Sequence, residues 1–302
     1  MKGHASAPAV ALAAMILIWG YSWVAMKVAL SYAHPFDFAA LRVGIGAALL
    51  FVIVKLQRRP IGLPAYRMAV VLGVVQVALF VLLSNFALMV SGSGRTSVLV
   101  FTMPFWMIVF AHFILRERMR GAQWFAVALA FAGLVLIVSP WRLESLAGSL
   151  LAVLAGMVWA FASVISKRWP TKGVDPLLFT AWQLLFGFVA LSVPAALHPH
   201  AGVQWTAEFI AALAFSSIVA TGIGWWLWTY LLARTPAGIA GLNSLGIPVV
   251  SVLTSAVQLG ERPPALEIAG MLLIGGALAL LAWLGVRRPS PPVIAPASGR
   301  SA

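Results

Sequence analysis

The sequence predicts an all-α polytopic membrane protein with ten transmembrane helices. Of its 302 residues, 62% are hydrophobic and 9% are charged, whereas charged residues make up roughly 25% of an ordinary globular domain. Apolar segments of about 20 residues, the length that crosses a hydrocarbon core of ~30 Å, recur along the whole chain. These segments leave no room for a separate soluble domain.

The five spans of the first half are separated by short connections. Span 1, residues 8–30, is apolar for too long to be a secretory signal peptide, and no small-residue cleavage site closes it. Span 2, residues 36–56, ends at a group of basic residues. Spans 3, 4 and 5 cover residues 67–89, 94–115 and 121–139.

The second half repeats this arrangement. Spans 6 to 10 cover residues 146–167, 176–196, 207–232, 237–259 and 265–286. The connections are short, so neighbouring spans run antiparallel. The tail, residues 287–302, is rich in Pro, Ser and Ala, and we expect a disordered cytoplasmic segment there.

The distribution of Lys and Arg predicts the orientation. With the N-terminus inside, cytoplasmic segments hold fifteen of the 20 basic residues, and the opposite loops hold only Arg95, Arg142 and Arg262. This bias is the positive-inside pattern, and it places both termini in the cytoplasm at the inner (plasma) membrane. The net charge of +13 therefore does not indicate nucleic-acid binding, which needs a basic face on a soluble fold.

One motif occurs twice. Pro104 precedes Glu117-Arg118, and Pro248 precedes Glu261-Arg262, with an almost wholly apolar run between proline and glutamate in each copy. The differences 248 − 104 and 261 − 117 both equal 144, close to half the chain. A fixed displacement of this size predicts an internal repeat.

The repeat divides the chain into residues 1–143 and 144–286, with Trp19 matching Trp159 and Arg42 matching Gln183. Each half contains five spans. Because five is odd, the second half enters the membrane from the other side, so the sequence predicts two inverted five-helix repeats, an arrangement suited to alternating access.

Pro104 and Pro248 lie near the middle of their spans. A proline cannot donate to the carbonyl four residues earlier, at Val100 and Ser244, so we expect a kink or local unwinding there. A free carbonyl at membrane depth is tolerated only against protein or a wet cavity. The two interpretations are a packing kink and a central cavity.

Several motifs in this order resemble the drug/metabolite transporter superfamily, and within it the EamA-type ten-helix transporters. They are Trp19-Gly20 followed by Lys27, Ala40-Leu41-Arg42, the two Pro-x12-Glu-Arg segments, Gly133, and Gly275-Gly276. The resemblance covers residues 11–284. It implies export or uptake of small metabolites, often amino acids or related compounds, through a cavity formed mainly by spans 1, 3, 4, 6, 8 and 9.

Tryptophans, uncharged polar groups, one arginine and the two prolines within the spans are the candidate substrate-binding residues. They are Trp19, Ser22, Arg42, Asn85, Pro104, Trp159, Ser163, Gln183, Trp228, Tyr230, Asn243 and Pro248. Each has a structural alternative: the tryptophans pack, the polar groups bond across helices, and Arg42 extends to the headgroups.

Two glutamates at helix ends, Glu117 and Glu261, are either parts of a gate or members of interfacial salt bridges with the arginines that follow them. Lys27, at the end of span 1, is expected to extend to the membrane surface. His112 is a lone histidine within a span and only a weak candidate for a proton relay.

The sequence contains no cysteine, no carboxylate near mid-membrane and no GxxxxGK[ST] motif. It therefore predicts neither an enzyme nor a protein with a metal or cofactor. The predicted function is secondary transport of small metabolites by alternating access. The alternatives are an exporter of drugs or lipid-linked substrates and a receptor or assembly subunit without transport. The expected partners are a small-molecule substrate and the lipid bilayer, with no nucleic acid, and the expected oligomeric state is a monomer or homodimer.

Overall fold

The structure is a computed structural model that describes residues 6–63, 65–116, 121–138, 146–169, 173–198, 201–234 and 246–286. These residues form ten helical spans. The first five are α1 (Ser6–Ala29), α2 (Pro35–Leu56), α3 (Tyr66–Val90), α4 (Ser93–Ile114) and α5 (Gly121–Val138). The next are α6 (Leu146–Arg168), α7 (Pro176–Leu197), α8 (Ala207–Ala214, Phe215–Ile223 and Gly224–Arg234), α9 (Gly246–Gln258) and α10 (Ala265–Val286).

The predicted fold class is confirmed. Among the described residues, 7 helices are long and apolar enough to cross a membrane, and α5, α9 and α10 contain shorter apolar stretches. Apart from the start of α9, the ends of the helices lie within about two residues of the predicted spans, as expected for end assignments. The first part of predicted span 9, with Ser244, lies outside the described residues, as does the tail, residues 287–302.

Equivalent helices of the two halves begin in the same way. At α2, the His34 ring accepts a hydrogen bond from the Phe36 amide, and at α7 the Asp175 carboxylate accepts one from the Leu177 amide. A proline follows each capping residue. A capping side chain followed by proline is a strong start signal, because it satisfies a free amide and fixes φ for the first turn.

Helix α4 is interrupted where the proline predicts it. The helix Ser93–Val100 ends at a turn, and a second helix starts at Met103, one residue before Pro104. The Val100 carbonyl faces Gly156 of α6 so closely that a Cβ at Gly156 would lie 2.6 Å from the oxygen. The predicted kink is confirmed, and the carbonyl lies against protein.

Helices α3 and α8 each contain a π-helical segment, Gly73–Leu79 and Phe215–Ile223. Adding 144 to the first range gives 217–223, which lies within the second. π-helical turns are rare and concentrate at functional sites. Nothing in the apolar pattern of the sequence predicts them.

Helices α2 and α7 pack together at the centre, and each contacts the π-helical segment of the opposite half. Gly46 lies against Thr221 and the Ser217 carbonyl, and Gly187 lies against Val77 and the Gly73 carbonyl. Small residues permit such close approach of membrane helices. These contacts join the halves around the site.

Candidate substrate-binding cavity

A cavity of about 500 Å³, counting the open space at its mouth, lies between the helices. It is bounded by α1, α2, α3, α4, α6 and α8, so both halves contribute. Its lining residues are Trp19, Ser22, Trp23, Met26, Arg42, Phe80, Ser84, Val100, Phe101, Met103, Trp159 and Trp225. The residues around the α4 break are among them.

Aromatic rings from both halves form one wall. Trp159 is the centre of the group: its ring centroid lies 5.9 Å from that of Trp19, 5.0 Å from that of Trp225 and 4.6 Å from that of Phe80. Trp228 packs behind the wall, 5.9 Å from Trp19. Edge-to-face pairs at these distances fix the orientation of the rings.

Arg42 supplies the charge of the cavity. It lies about 10 Å along α2 from Pro35, at 1.5 Å per residue, and is only 6% exposed. Its Nε donates to the Thr221 hydroxyl at 2.7 Å, and its Nη1 contacts the Met26 sulfur. Both partners are neutral.

A second polar group joins α7 to the π-helical segment of α3. The Gln183 amide donates to Gln76 Oε1 at 2.9 Å, and Gln76 in turn donates to the Ser163 hydroxyl at 3.4 Å. Likewise, the Arg42–Thr221 contact joins α2 to the π-helical segment of α8. Residues 42 and 183 thus each bond to the π-helical segment of the opposite half.

The two equivalent tryptophans differ in hydrogen bonding. Trp19 Nε1 donates to the Ala220 carbonyl of the α8 π-helical segment at 3.0 Å. The buried Trp159 Nε1 and Ser84 hydroxyl have no partner among the described residues. A buried donor without an acceptor costs about 1–3 kcal/mol. Both groups line the cavity.

The end of the bundle at which α3 connects to α4, called the α3–α4 end, is held by several hydrogen bonds between its elements. Glu261 accepts hydrogen bonds from the Ser93 amide at 2.7 Å and the Gly94 amide at 3.0 Å, so it caps the first turn of α4. The Ser93 hydroxyl lies 2.6 Å from that of Ser255. Lys27 donates to the Ser91 carbonyl at 2.9 Å. Capping by a carboxylate also suits the positive end of the helix dipole.

Arg95 extends this bonded end. Its guanidinium pairs with Glu267 of α10 at 2.8 Å and donates to the Ile137 carbonyl of α5 at 2.7 Å and the Ser149 hydroxyl of α6 at 2.8 Å. Arg95 and Glu267 are 13% and 12% exposed, so water screens this pair much less than an exposed pair.

The opposite end, called the α2–α3 end, has more exposed contacts between the halves. Arg59 pairs with Asp175, and the side chains of Arg59 and Asp175 are 45% and 29% exposed. The Trp182 indole donates to the Gly62 carbonyl at 2.7 Å. An exposed ion pair contributes about 0–1 kcal/mol. In the described part of the chain, this end is therefore the more weakly bonded of the two.

The structure brings four of the candidate residues to the cavity: Trp19, Ser22, Arg42 and Trp159. Pro104 is buried beside the lining residue Met103. Six others lie elsewhere in the bundle, in packing or hydrogen-bonded positions: Asn85, Ser163, Gln183, Trp228, Tyr230 and Pro248. Asn243 lies outside the described residues, as does Glu117.

The two end residues also have defined surroundings. Glu261 contacts α4 rather than Arg262, and it forms no ion pair within 4.0 Å with any described residue. Lys27 binds carbonyls at the end of α3 instead of extending into solvent. His112 lies among aromatic rings, 5.1 Å from Phe113.

Sequence reasoning missed Ser84, which lines the cavity, and two hydrogen-bond partners, Thr221 of Arg42 and Gln76 of Gln183. For Gln76 a signal existed, since a glutamine in the middle of an apolar span is costly without a partner. Ser84 and Thr221 had no such signal, because serine and threonine are common in membrane helices.

Ten helical spans, six of which bound a cavity with Arg42 as the one charge among its described lining residues, define a multi-pass membrane protein. The sequence profile of the EamA-like transporter family matches the chain twice, over residues 7–139 and 146–283. The chain belongs to this family and is a membrane transporter with a small-molecule substrate.

Individual relatives agree with this assignment. The chain is 31% identical, over 85% of its length and 90% of the other's, to a Bacillus subtilis protein named uncharacterized transporter YoaV. It is 25% identical, over 86% and 89% of the two chains, to an Escherichia coli protein named probable amino-acid metabolite efflux pump. A solved crystal structure with 21% identity shares the fold, with a TM-score of 0.68 over 93% of this chain and 99% of that chain.

Proposed function

We propose that this protein is a secondary transporter that exports small metabolites across the inner (plasma) membrane by alternating access. The observation that carries the proposal is the cavity, whose wall combines Trp19 and Arg42 of one half with Trp159 and Trp225 of the other. A site shared by two halves changes its exposure when the halves rock against each other. The efflux-pump names of relatives support metabolite export.

The two halves act as inverted repeats in this proposal, divided near residues 143 and 144. Three observations support it: the two profile matches, the overlap of the π-helical segments after a displacement of 144 residues, and the contacts that Arg42 and Gln183 each make with the opposite half. Related halves with opposite orientation exchange conformations, so one structure implies a second with the roles of the two ends reversed.

The Glu261 cap serves as the gate at the α3–α4 end. It joins the α9–α10 connection to α4, and these elements belong to different halves. We infer that the Glu261 cap is broken in the alternate state, when this end of the bundle opens. Glu117, which precedes Glu261 by 144 residues in the sequence, lies outside the described residues.

Orientation follows from the charges. The basic residues Lys55, Arg58, Arg59 and Arg67 lie in or beside the α2–α3 connection, and the positive-inside pattern places them in the cytoplasm. Both termini then lie in the cytoplasm as well. The α3–α4 end faces outward, and the conformation described is closed to the outside.

The test uses the absence of cysteine from the sequence. The Ser93 and Ser255 hydroxyls are 2.6 Å apart, so a Ser93→Cys/Ser255→Cys variant is expected to form a disulfide on oxidation and lock the outer gate. Counterflow in proteoliposomes with a pooled panel of amino acids, aromatic compounds and nucleobases, followed by mass spectrometry, measures transport. Exchange should stop on oxidation and return on reduction.

The single variants Ser93→Cys and Ser255→Cys are the controls, and they should exchange under both conditions. Undiminished exchange by a fully cross-linked double variant would overturn alternating access at this end. If the wild-type protein exchanged no compound of the panel while a control carrier worked, metabolite transport itself would be overturned.

A further inference from the structure

In the described part of the chain, the charge of Arg42 has no counter-charge within 4.0 Å. Of the described residues, none places a carboxylate within 4.0 Å of its guanidinium, and its two contacts are a hydroxyl and a thioether. An arginine buried in a membrane is costly unless it pairs with an opposite charge. Arg42 also lines the cavity.

Two further groups in the same wall lack partners. Trp159 Nε1 and the Ser84 hydroxyl are buried and have no hydrogen-bond partner in the described part of the chain. Trp159 is the more informative of the two, because its equivalent, Trp19, has its donor satisfied by the Ala220 carbonyl. Trp159, Ser84 and Arg42 all line the cavity, so a ligand bound there with acceptor oxygens would supply the missing partners.

The remaining described lining is apolar or aromatic apart from Ser22, whose hydroxyl donates to the Trp19 carbonyl. None of the described residues that bound the cavity is Asp or Glu. A substrate ammonium group would therefore lie near the positive Arg42 without a carboxylate to pair with. The rings of Trp19, Phe80 and Trp225 offer surface for a planar or apolar body.

We propose that the cavity binds small organic carboxylates with an aromatic body, that Arg42 pairs with the carboxylate, and that an α-amino group is not required. Guanidinium matches carboxylate geometry with two parallel hydrogen bonds, and Trp159 Nε1 and the Ser84 hydroxyl supply additional donors. The proposal rests on the proposed transport function and narrows it to a substrate class.

A matched set of four compounds tests the substrate class. Counterflow of 3-phenylpropanoate, phenylalanine, 3-phenylpropanamide and 2-phenylethylamine separates the contributions of carboxylate and amine. We expect the propanoate to exchange at least as well as phenylalanine. The amide and the amine should exchange at least about 30-fold less, as is typical when one partner of a buried charge pair is lost.

Other outcomes distinguish this inference from the function on which it rests. Exchange of the amine or the amide at the rate of the carboxylates overturns the carboxylate assignment and leaves transport intact. Exchange of phenylalanine without exchange of 3-phenylpropanoate shows that the amino group is recognised and overturns the proposal. If none of the four compounds exchanges but other compounds do, the substrate class is overturned. If no compound exchanges at all, transport is overturned as well.

Variants test the assigned groups. Trp159→Phe keeps a ring but removes the donor, so the apparent KM for 3-phenylpropanoate should rise about 3- to 10-fold, the typical effect of one hydrogen bond. The control, Trp226→Phe, changes a ring that is 37% exposed and outside the cavity lining. An unchanged KM for Trp159→Phe would contradict the assignment of its indole.

Arg42→Gln should lose exchange of both acids, while Arg42→Lys should retain part of it. Thr221→Val provides a second variant if Arg42→Gln fails to fold, because it removes a neutral contact of Arg42 and keeps the charge. Thr221→Val should retain the preference for acid over amide. Two results would refute the pairing of Arg42 with the carboxylate. One is equal exchange of acid and amide by wild-type protein, and the other is exchange of the acid by Arg42→Gln at the wild-type rate.

Discussion

Gly156 allows the interrupted helix α4 to pack against α6, and Gly156→Ala should destabilise this contact. An added Cβ would lie 2.6 Å from the Val100 oxygen and 3.3 Å from the Val100 carbonyl carbon. An ordinary carbon–oxygen contact is about 3.3–3.6 Å. The helices must therefore separate by about 0.7 Å, or the carbonyl must rotate. Backbone is on both sides of this contact, so no flexible side chain can absorb the change.

The expected cost is about 1–3 kcal/mol, the range for overpacking a filled interior. Reversible unfolding in mixed micelles, followed by loss of helical circular dichroism, measures it. The control is Gly275→Ala, because a Cβ at Gly275 in α10 has nothing within 4 Å. We expect Gly275→Ala to be at least as stable as the wild-type protein, because alanine favours the helix over glycine. Equal stability of the two variants would show that α4 and α6 are not this close.

Three further predictions concern single contacts. Gln183→Leu leaves Gln76 with a buried, unpaired amide oxygen, so unfolding free energy should fall by about 1–3 kcal/mol in the same assay; an unchanged value would mean that water or another group replaces Gln183. Trp19→Phe removes the donor to the Ala220 carbonyl, and its unfolding free energy should fall by about 1 kcal/mol, whereas wild-type stability would argue against this bond. With the proposed orientation, His198→Cys should react with an impermeant maleimide applied to intact cells and Arg58→Cys should not; the reverse labelling would invert the topology.

The sequence was sufficient for the architecture because the bilayer imposes a simple rule on it. A span needs about 20 apolar residues, and each span is bounded by charged, proline or glycine residues that a bilayer core excludes. Pro104 also predicted the interruption of α4, since a missing amide hydrogen has a local and direct effect on the backbone.

The site was less predictable because its geometry depends on pairs of distant helices. Nothing near Arg42 in the sequence indicates that Thr221, 179 residues away, accepts its hydrogen bond. Gln76 and Gln183 are each visible as polar residues in apolar spans, but their pairing needs the contact between α3 and α7. Ser84 looks like any serine in a membrane helix until its position in the cavity is known.

The π-helical segment of α3 is where this helix holds one residue more than α-helical winding would over the same turn. Phe80 and Ser84 line the cavity from beyond this segment. Each residue advances an α-helix by about 100°, so loss of one residue from an α-helical turn would rotate the side chains beyond it by about that angle. Loss of one residue from the π-helical segment, with a return to α-helical winding, would instead keep Phe80 and Ser84 directed at the cavity. The segment is therefore the place where α3 tolerates a change of one residue in length without a change in the cavity lining.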